Sequence, residues 1–423
     1  MGPGLMSVRA EVSRLFREDY GRIVAPLIRL LGGFDVAEEV AQDAFEAALT
    51  QWPKEGIPDA PRAWVHRAAR NKAIDRIRRS RRYEEKRAEL HAVAEVERAL
   101  ADVPIGLRGA LRDDMLRLLF TCCHPSLGSR AQVALALQTI AGLTTPEVAR
   151  AFLVSETTMA QRLVRAKRKI REAAIPYRVP AAEELPDRLD GVFASLYCIF
   201  NEGYAATAGD ALVRQQLCSE AIRLGELVVE LLPEQPDPKG LLALMLLHDS
   251  RRDARVAADG SLVPLEEQDR SLWNEAQIEE GLSKLREAQA AGPAGPYAIQ
   301  AAISAVHASS LRTGRIDWAT IVALYDDLAG LFPSPVIGLN RAVALSRVNG
   351  AQAGLEDLEA IVSEPGSLRV LEDYQPYWAA RADLLARVGD GDGAEAAYAR
   401  AIEMTGIPAE RAFLSRRLAA LRR

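Results

Sequence analysis

Two short runs of the chain hold the residue types that recognise a polyanion. Residues 62–82 contain nine Arg or Lys and one acid, Asp75; residues 150–171 contain seven and one acid, Glu156. Laid out at about 100° per residue, Arg67, Asn71, Asp75, Arg78 and Arg82 fall in one stripe of the first run. Trp64, Val65, Ala68, Ala69, Ala73 and Ile77 form the opposite, apolar face, toward which Arg70 and Arg76 also lean. Guanidinium groups on such a stripe contact phosphates, and the Asn71 amide offers the paired donor and acceptor that matches a base edge. Trp64 and His66 carry flat rings suited to stacking on unpaired bases, with core packing as the plainer use of Trp64. In the second run Thr158, Gln161, Arg162 and Arg165 share an outward face. This is recognition by charge and hydrogen bonds, in which no bond is made or broken.

Other chemistry-bearing clusters read as structure. Cys122-Cys123-His124-Pro125 lacks the third and fourth ligands that zinc needs nearby, so it is expected to be a helix end with buried thiols. Val388–Gly393, VGDGDG, lacks the ligand spacing of a calcium loop and reads as a turn between helices. Asn201-Glu202-Gly203-Tyr204 is expected to be a helix end with a capping network. His248-Asp249 is expected to close a helix, where a histidine cation complements the dipole. There is no phosphate-binding glycine loop, no HExxH and no nucleophile elbow. The expectation is a protein that is not an enzyme, with no catalytic residues, no metal and no cofactor.

Composition narrows the class further. Of 423 residues, 49% are hydrophobic and 26% charged, enough to bury real cores, and the length suggests more than one domain. No apolar run approaches the roughly 18 residues of a membrane span, and MGPGLMSVRA has no signal-peptide core. Four cysteines are too few for a disulfide scaffold. A soluble, cytoplasmic protein with no membrane partner is expected. Residues 187–423 hold 23 basic against 34 acidic side chains, while the whole chain holds 53 against 58, so residues 1–186 are net basic. Only the first part is therefore expected to meet a polyanion.

The elements that must position these residues are all helices. Ala, Leu, Arg and Glu dominate, aromatics are 6%, and no stretch alternates with period two. The proline-bearing stretch IPYRVPAAEELP, 175–186, marks the clearest boundary, with a charged connector at about 83–107. A helix over 35–49 is expected to start on Asp35 as N-cap with Glu38 three residues on. Its Val36, Val40, Ala44 and Ala48 would face a core. Glu39, Gln42, Asp43 and Glu46 form an acidic stripe, either a solvated face or a docking surface for a basic partner. In 144–171, Thr145 as N-cap and Pro146 open one short helix that buries Val148, Ala149 and Phe152. Ser155 opens a second, with Met159, Leu163, Ala166 and Ile170 buried, which makes a helix-turn-helix. Leu153 stands at the turn position where glycine is common.

The runs DVAEEVAQDAFEAAL, PRAWVHRAARNKAIDRIRRSRR and GLTTPEVARAFLVSETTMAQRLVRAKRKI, in that order, resemble bacterial sigma factors of the extracytoplasmic-function type, group-four sigma-70-like subunits of RNA polymerase. The resemblance covers about residues 8–174. It implies that Glu39, Gln42, Asp43 and Phe45 grip the clamp helices of the polymerase beta-prime subunit. It implies that Arg67, Asn71, Arg76, Arg78 and Arg79 melt and read the −10 element. By the same resemblance Thr157, Thr158, Gln161, Arg162 and Arg165 read the −35 element.

The segments YCIFNEGYAAT, LNRAVALSRVNG and residues 381–421 look like the subgroup with a C-terminal tetratricopeptide-like extension. Helix pairs are expected to begin at Tyr297, Pro335 and Tyr374, with Ala394, Ala397, Tyr398 and Ala401 in the packing face of the last. The implied organisation is an all-α chain. Sigma region 2 spans 8–82, a linker 83–107, sigma region 4 residues 108–174, and a helical-repeat regulatory domain 187–423. The implied partners are the RNA polymerase core, through its beta-prime and beta subunits, promoter DNA, and a protein on the C-terminal domain. The competing reading is a one-component helix-turn-helix regulator with a helical-repeat sensor. A repeat scaffold whose basic helices bind RNA is a third.

Overall fold

The computed structural model describes residues 3–83, 108–152, 154–204, 215–257 and 262–421. The expected connector at 83–107 and the turn residue Leu153 lie outside the described residues, Tyr83 apart. Among the described residues there are nineteen α-helices and no strand, only one isolated bridge, Val256 to Leu262. The chain divides into two compact units, Met1–Ile199 and Phe200–Arg423.

In the first unit α1 (Pro3–Leu31), α2 (Phe34–Glu55) and α3 (Pro61–Tyr83) pack on one another. Their shared core buries Leu15, Ile23 and Val24 of α1, a small-residue face of α2, Ala37, Ala41, Ala44 and Ala48, and Val65, Ala69 and Ala73 of α3. Alanines on these faces let the helices approach closely. A second group comprises α4 (Arg108–Cys122), α5 (Ser129–Thr139), α6 (Thr145–Ala151) and α7 (Glu156–Glu172).

The two groups are joined tightly. Helix α1 packs on α4 and α5. A Cβ on Gly21 would stand 2.6 Å from the Ile140 carbonyl oxygen, and one on Gly142, at φ +64°, 3.1 Å from that of Phe16. Only glycine permits both approaches. Arg29 pairs with buried Asp114 at 2.9 Å. The Tyr177 hydroxyl lies 2.9 Å from both the Ala25 and the Asp114 carbonyl oxygens.

That tyrosine belongs to the proline-bearing stretch, which here lies on the first unit. The next helix, α8 (Pro186–Tyr204), begins on the same unit: Arg188 Nη1 donates to the Phe120 carbonyl at 3.2 Å, and Ser195 Oγ lies 3.3 Å from Cys123 Sγ. Packing thus divides the chain at Ile199, later than the prolines do, because Arg188 and Ser195 reach back to the end of α4.

The second unit is built around α10 (Pro236–Asp249), whose run Leu241–Leu247 is buried on every side by α9 (Gln215–Leu231), α11 (Glu275–Ala291) and α12 (Pro296–Thr313). A helix apolar all round must be central. Helix pairs then follow: α12 with α13 (Trp318–Leu331), α14 (Pro335–Val348) with α15 (Ala351–Ser363), and α17 (Gln375–Val388) with α18 (Gly391–Met404). Each pair starts within one residue of the expected position. A short helix, α16 (Ser367–Glu372), sits between the last two pairs, and α19 (Pro408–Leu421) closes the array. Ala394, Ala397, Tyr398 and Ala401 are buried as expected. The VGDGDG run is the turn between α17 and α18: Gly389 ends one at φ +91°, and Asp390 accepts from the Gly393 N–H at 2.9 Å to cap the other.

Candidate DNA-reading and polymerase-docking surfaces

Helix α7 starts where Ser155 Oγ accepts the Thr158 N–H at 3.2 Å, and it buries Met159, Leu163, Ala166 and Ile170. Thr157, Thr158, Gln161 and Arg165 are exposed, and Arg165 Nη2 donates to Gln161 Oε1 at 3.3 Å. Arg162 differs from the expected free reader. Its guanidinium lies 5.6 Å from the Phe152 ring centroid, and Nη1 is buried without a hydrogen-bond partner. It braces the turn between α6 and α7 through a cation–π contact as well as facing outward. Val164 is 64% exposed on this helix and was not anticipated. Its signal is an apolar residue out of register with the four buried ones, and an exposed methyl group there suits a thymine methyl. The N-cap of α6 is Thr144, not Thr145: its N–H donates to the Glu147 carboxylate at 2.8 Å, which closes a capping box and leaves Pro146 inside the first turn.

On α3, Arg67, Asn71 and Arg78 are exposed as the stripe predicts, while the side chains of Arg79 and Arg82 lie outside the described residues. Arg70 is half-buried with Nε unpartnered. The Trp64 ring meets Trp52 edge-on at 5.5 Å, so packing, not base stacking, occupies it. His66 is half-buried; burial lowers its pKa, Asp19 opposes this, and Arg62 and Arg22 lower it further.

The acidic stripe of α2 is partly as expected: Glu39 and Gln42 are exposed and Asp43 half-exposed. Phe45 is not on it. It is 5% exposed, with its ring edge-on to Phe16 at 5.2 Å, because position 45 falls on the alanine face of the helix. Nor do Asp35 and Glu38 form the expected cap. Gly33 is the N-cap without a side-chain bond, and the two carboxylates instead reach α7. Glu38 binds Lys167 Nζ at 2.6 Å, and Asp35 binds Arg171 Nη1 at 2.6 Å. The Lys167–Glu38 pair is 12% and 14% exposed, so removing one partner leaves a poorly solvated charge. Glu39 pairs with Arg76 at 2.9 Å, which raises the Arg76 pKa and lowers that of Glu39. Two residues expected to serve different partners are thus bound to each other.

The thiols of Cys122 and Cys123 are buried at the end of α4, and burial pushes Cys123 up to about 12 despite the Ser195 hydroxyl. His248 departs from expectation. It ends α10 but is packed against Tyr204 at 5.1 Å, and burial, with Arg251 and Arg255 nearby, holds its pKa well below the usual histidine range. A neutral ring cannot complement the helix dipole.

Helix α2 thus turns acidic and amide groups outward, and α3 and α7, which follow it, turn basic and polar ones outward. Sigma-70 region 2 matches residues 15–83 and Sigma-70 region 4 matches residues 117–170, while a family of unknown function matches residues 188–289. An uncharacterized protein of Rhizobium meliloti (strain 1021) is 42% identical over 395 residues, 93% of this chain and 91% of that protein. A probable ECF RNA polymerase sigma factor, SigI, of Mycobacterium tuberculosis (strain ATCC 25618 / H37Rv) is 28% identical over 178 residues, 42% of this chain and 60% of SigI. No solved structure matches. The chain belongs to the extracytoplasmic-function sigma factors and carries a C-terminal extension. Sigma regions of these two kinds engage core RNA polymerase and promoter DNA in general. Among the described residues no helix is long and apolar enough to cross a membrane.

Proposed function

We propose that this chain directs core RNA polymerase, in the cytoplasm, to promoters with two recognition elements, and that its C-terminal extension modulates that activity. Glu39, Gln42 and Asp43 would dock on the beta-prime subunit. Arg67, Asn71 and Arg78 would work at the −10 element, and Thr157, Thr158, Gln161, Val164 and Arg165 at the −35 element. The observation that carries the reading is the α7 surface: a capped helix-turn-helix whose outward face pairs amide, guanidinium, hydroxyl and methyl groups, the set that distinguishes bases in a major groove. Because Glu38 and Asp35 hold Lys167 and Arg171, and Glu39 holds Arg76, assembly requires these ion pairs to part.

Co-purification with core enzyme and run-off transcription from a two-element promoter test the proposal. Glu39→Lys with Asp43→Lys is expected to weaken holoenzyme assembly while helicity stays intact; unchanged affinity for core would remove these residues from the interface. A chain ending at Tyr204 tests the extension, with several-fold loss of transcription expected, and wild-type activity from that chain would show it modulates nothing.

The −35 assignment predicts more locally. Gln161→Ala and Arg165→Ala should each cost about 1–3 kcal/mol in promoter binding and relax base preference at that element. Loss spread evenly over all sequences would make them phosphate contacts instead.

A further inference from the structure

The second unit is acidic as a whole, with 23 basic and 34 acidic side chains over 187–423, yet one of its grooves gathers three arginines. The groove encloses about 470 Å³ between α13–α14 on one side and α17–α19 on the other. Three successive layers each send an arginine into it: Arg347 from α14, Arg387 from α17 and Arg417 from α19. Arg387 is held in place, donating to Ser346 Oγ and to its carbonyl oxygen at 3.0 Å each. Arg417 pairs with Asp383, the one carboxylate these helical walls contribute. Arg347 lies 5.8 Å from the Trp318 ring centroid, which presents a flat apolar surface beside the charge.

The remaining lining comes from elsewhere in the unit. Pro264, Leu265, Glu266 and Glu267, from the connection between α10 and α11, enter the groove, and Glu266 pairs with Arg347 at 2.9 Å. A proline-led, leucine-bearing acidic segment of the same chain therefore forms part of the groove's wall, and it brings the lining to three carboxylates against three arginines. Both members of that ion pair are part-exposed, 31% and 41%, so the tie is weak and exchangeable. With Glu266 and Glu267 withdrawn, three arginines would face one aspartate. His307 Nδ1, buried without a hydrogen-bond partner, borders the same space.

We propose that this groove is a docking site for an acidic segment of a partner protein, of the same Leu-Glu-Glu character as Leu265–Glu267, and that the resident segment competes with it. The three arginines gathered within an acidic unit, and the acidic chain segment that already pairs with one of them, both select an anionic, part-apolar peptide. The proposal concerns the second unit alone and stands whether or not α2, α3 and α7 act as read above.

The test uses the full-length chain and a fluorescein-labelled peptide, LVPLEEQD, the sequence of residues 262–269. Saturable binding by anisotropy is expected, weakening at least fivefold as salt rises from about 50 to about 300 mM. Glu266→Gln should release Arg347 and tighten binding about threefold or more, a gain that misfolding does not produce. Arg347→Gln and Arg417→Gln should each weaken it about fivefold or more, with unchanged helical circular dichroism. The uncharged peptide LVPLQQQN should not bind. Absence of binding to both the wild type and the Glu266→Gln chain would overturn the proposal. So would peptide affinity indifferent to Arg347→Gln, or a single-stranded oligonucleotide that displaces the peptide at equal concentration.

Discussion

Gly21→Ala will loosen the joint between the two helical groups of the first unit. The added Cβ would stand 2.6 Å from the Ile140 carbonyl oxygen and 2.8 Å from that of Thr139, both backbone atoms, so no side chain can swing aside. Overpacking of this kind costs about 1–3 kcal/mol, or roughly 5- to 150-fold in the closed-to-open ratio. The sign is informative. In an isolated helix the same change would stabilise by about 1 kcal/mol, so a loss of stability reports the contact itself. Position 21 lies apart from the outward faces of α2, α3 and α7, so the substitution leaves the candidate contact residues unchanged. Opening frees Asp35, Glu38, Lys167 and Arg171 together. Energy transfer between dyes at positions 46 and 164 should fall, and affinity for core polymerase should rise by up to the same factor. A variant with unaltered energy transfer would show that the joint is not closed by this contact.

The second large effect is acid lability of the second unit, carried by His248 and His307. Burial comes first in lowering both; Arg251 adds to each, and Arg255 adds at His248. His307 is brought down to about 4. Above about pH 6.5 both rings are neutral whether the chain is folded or not, and they exert no pH dependence. As pH falls below that, the unfolded chain takes up protons that the folded rings refuse, so stability declines until the folded pKa is reached. For His307 the window runs from about 6.5 down to about 4, and the full loss is roughly 3 kcal/mol. His248 acts in the same direction. Urea midpoints at about pH 7.5 and about pH 5 should therefore differ, and His307→Gln should remove a substantial part of the difference. Equal pH dependence in His307→Gln and wild type would show that this ring is not held neutral by the fold.

Local signals in the sequence determined a great deal. The 3.6-residue spacing of Met159, Leu163, Ala166 and Ile170 and the cap at Ser155 settle the register of α7, and with it the exposure of Thr157, Thr158, Gln161 and Arg165. The same spacing settles the outward stripe of α3. Prolines at helix starts and small residues at close contacts placed the helix pairs of the second unit within a residue. Such patterns say which way a side chain points.

They do not say what it meets there, and that was decided by tertiary structure. Lys167 and Arg171 lie 129 and 136 residues from Glu38 and Asp35, so no local spacing links a carboxylate at the start of α2 to a cation of α7. Phe45 and Arg162 were legible as helical positions, yet the ring of Phe16 and the face of Phe152 took them from a free surface. His248 ends its helix as expected, but burial among Phe200, Tyr204 and two arginines removes the charge that its position would otherwise have used. Helical period is a property of neighbours along the chain. Charge state, pairing and accessibility depend on which helices are brought together, and in this protein that was set by glycine contacts at Gly21 and Gly142 and by side chains reaching across more than a hundred residues.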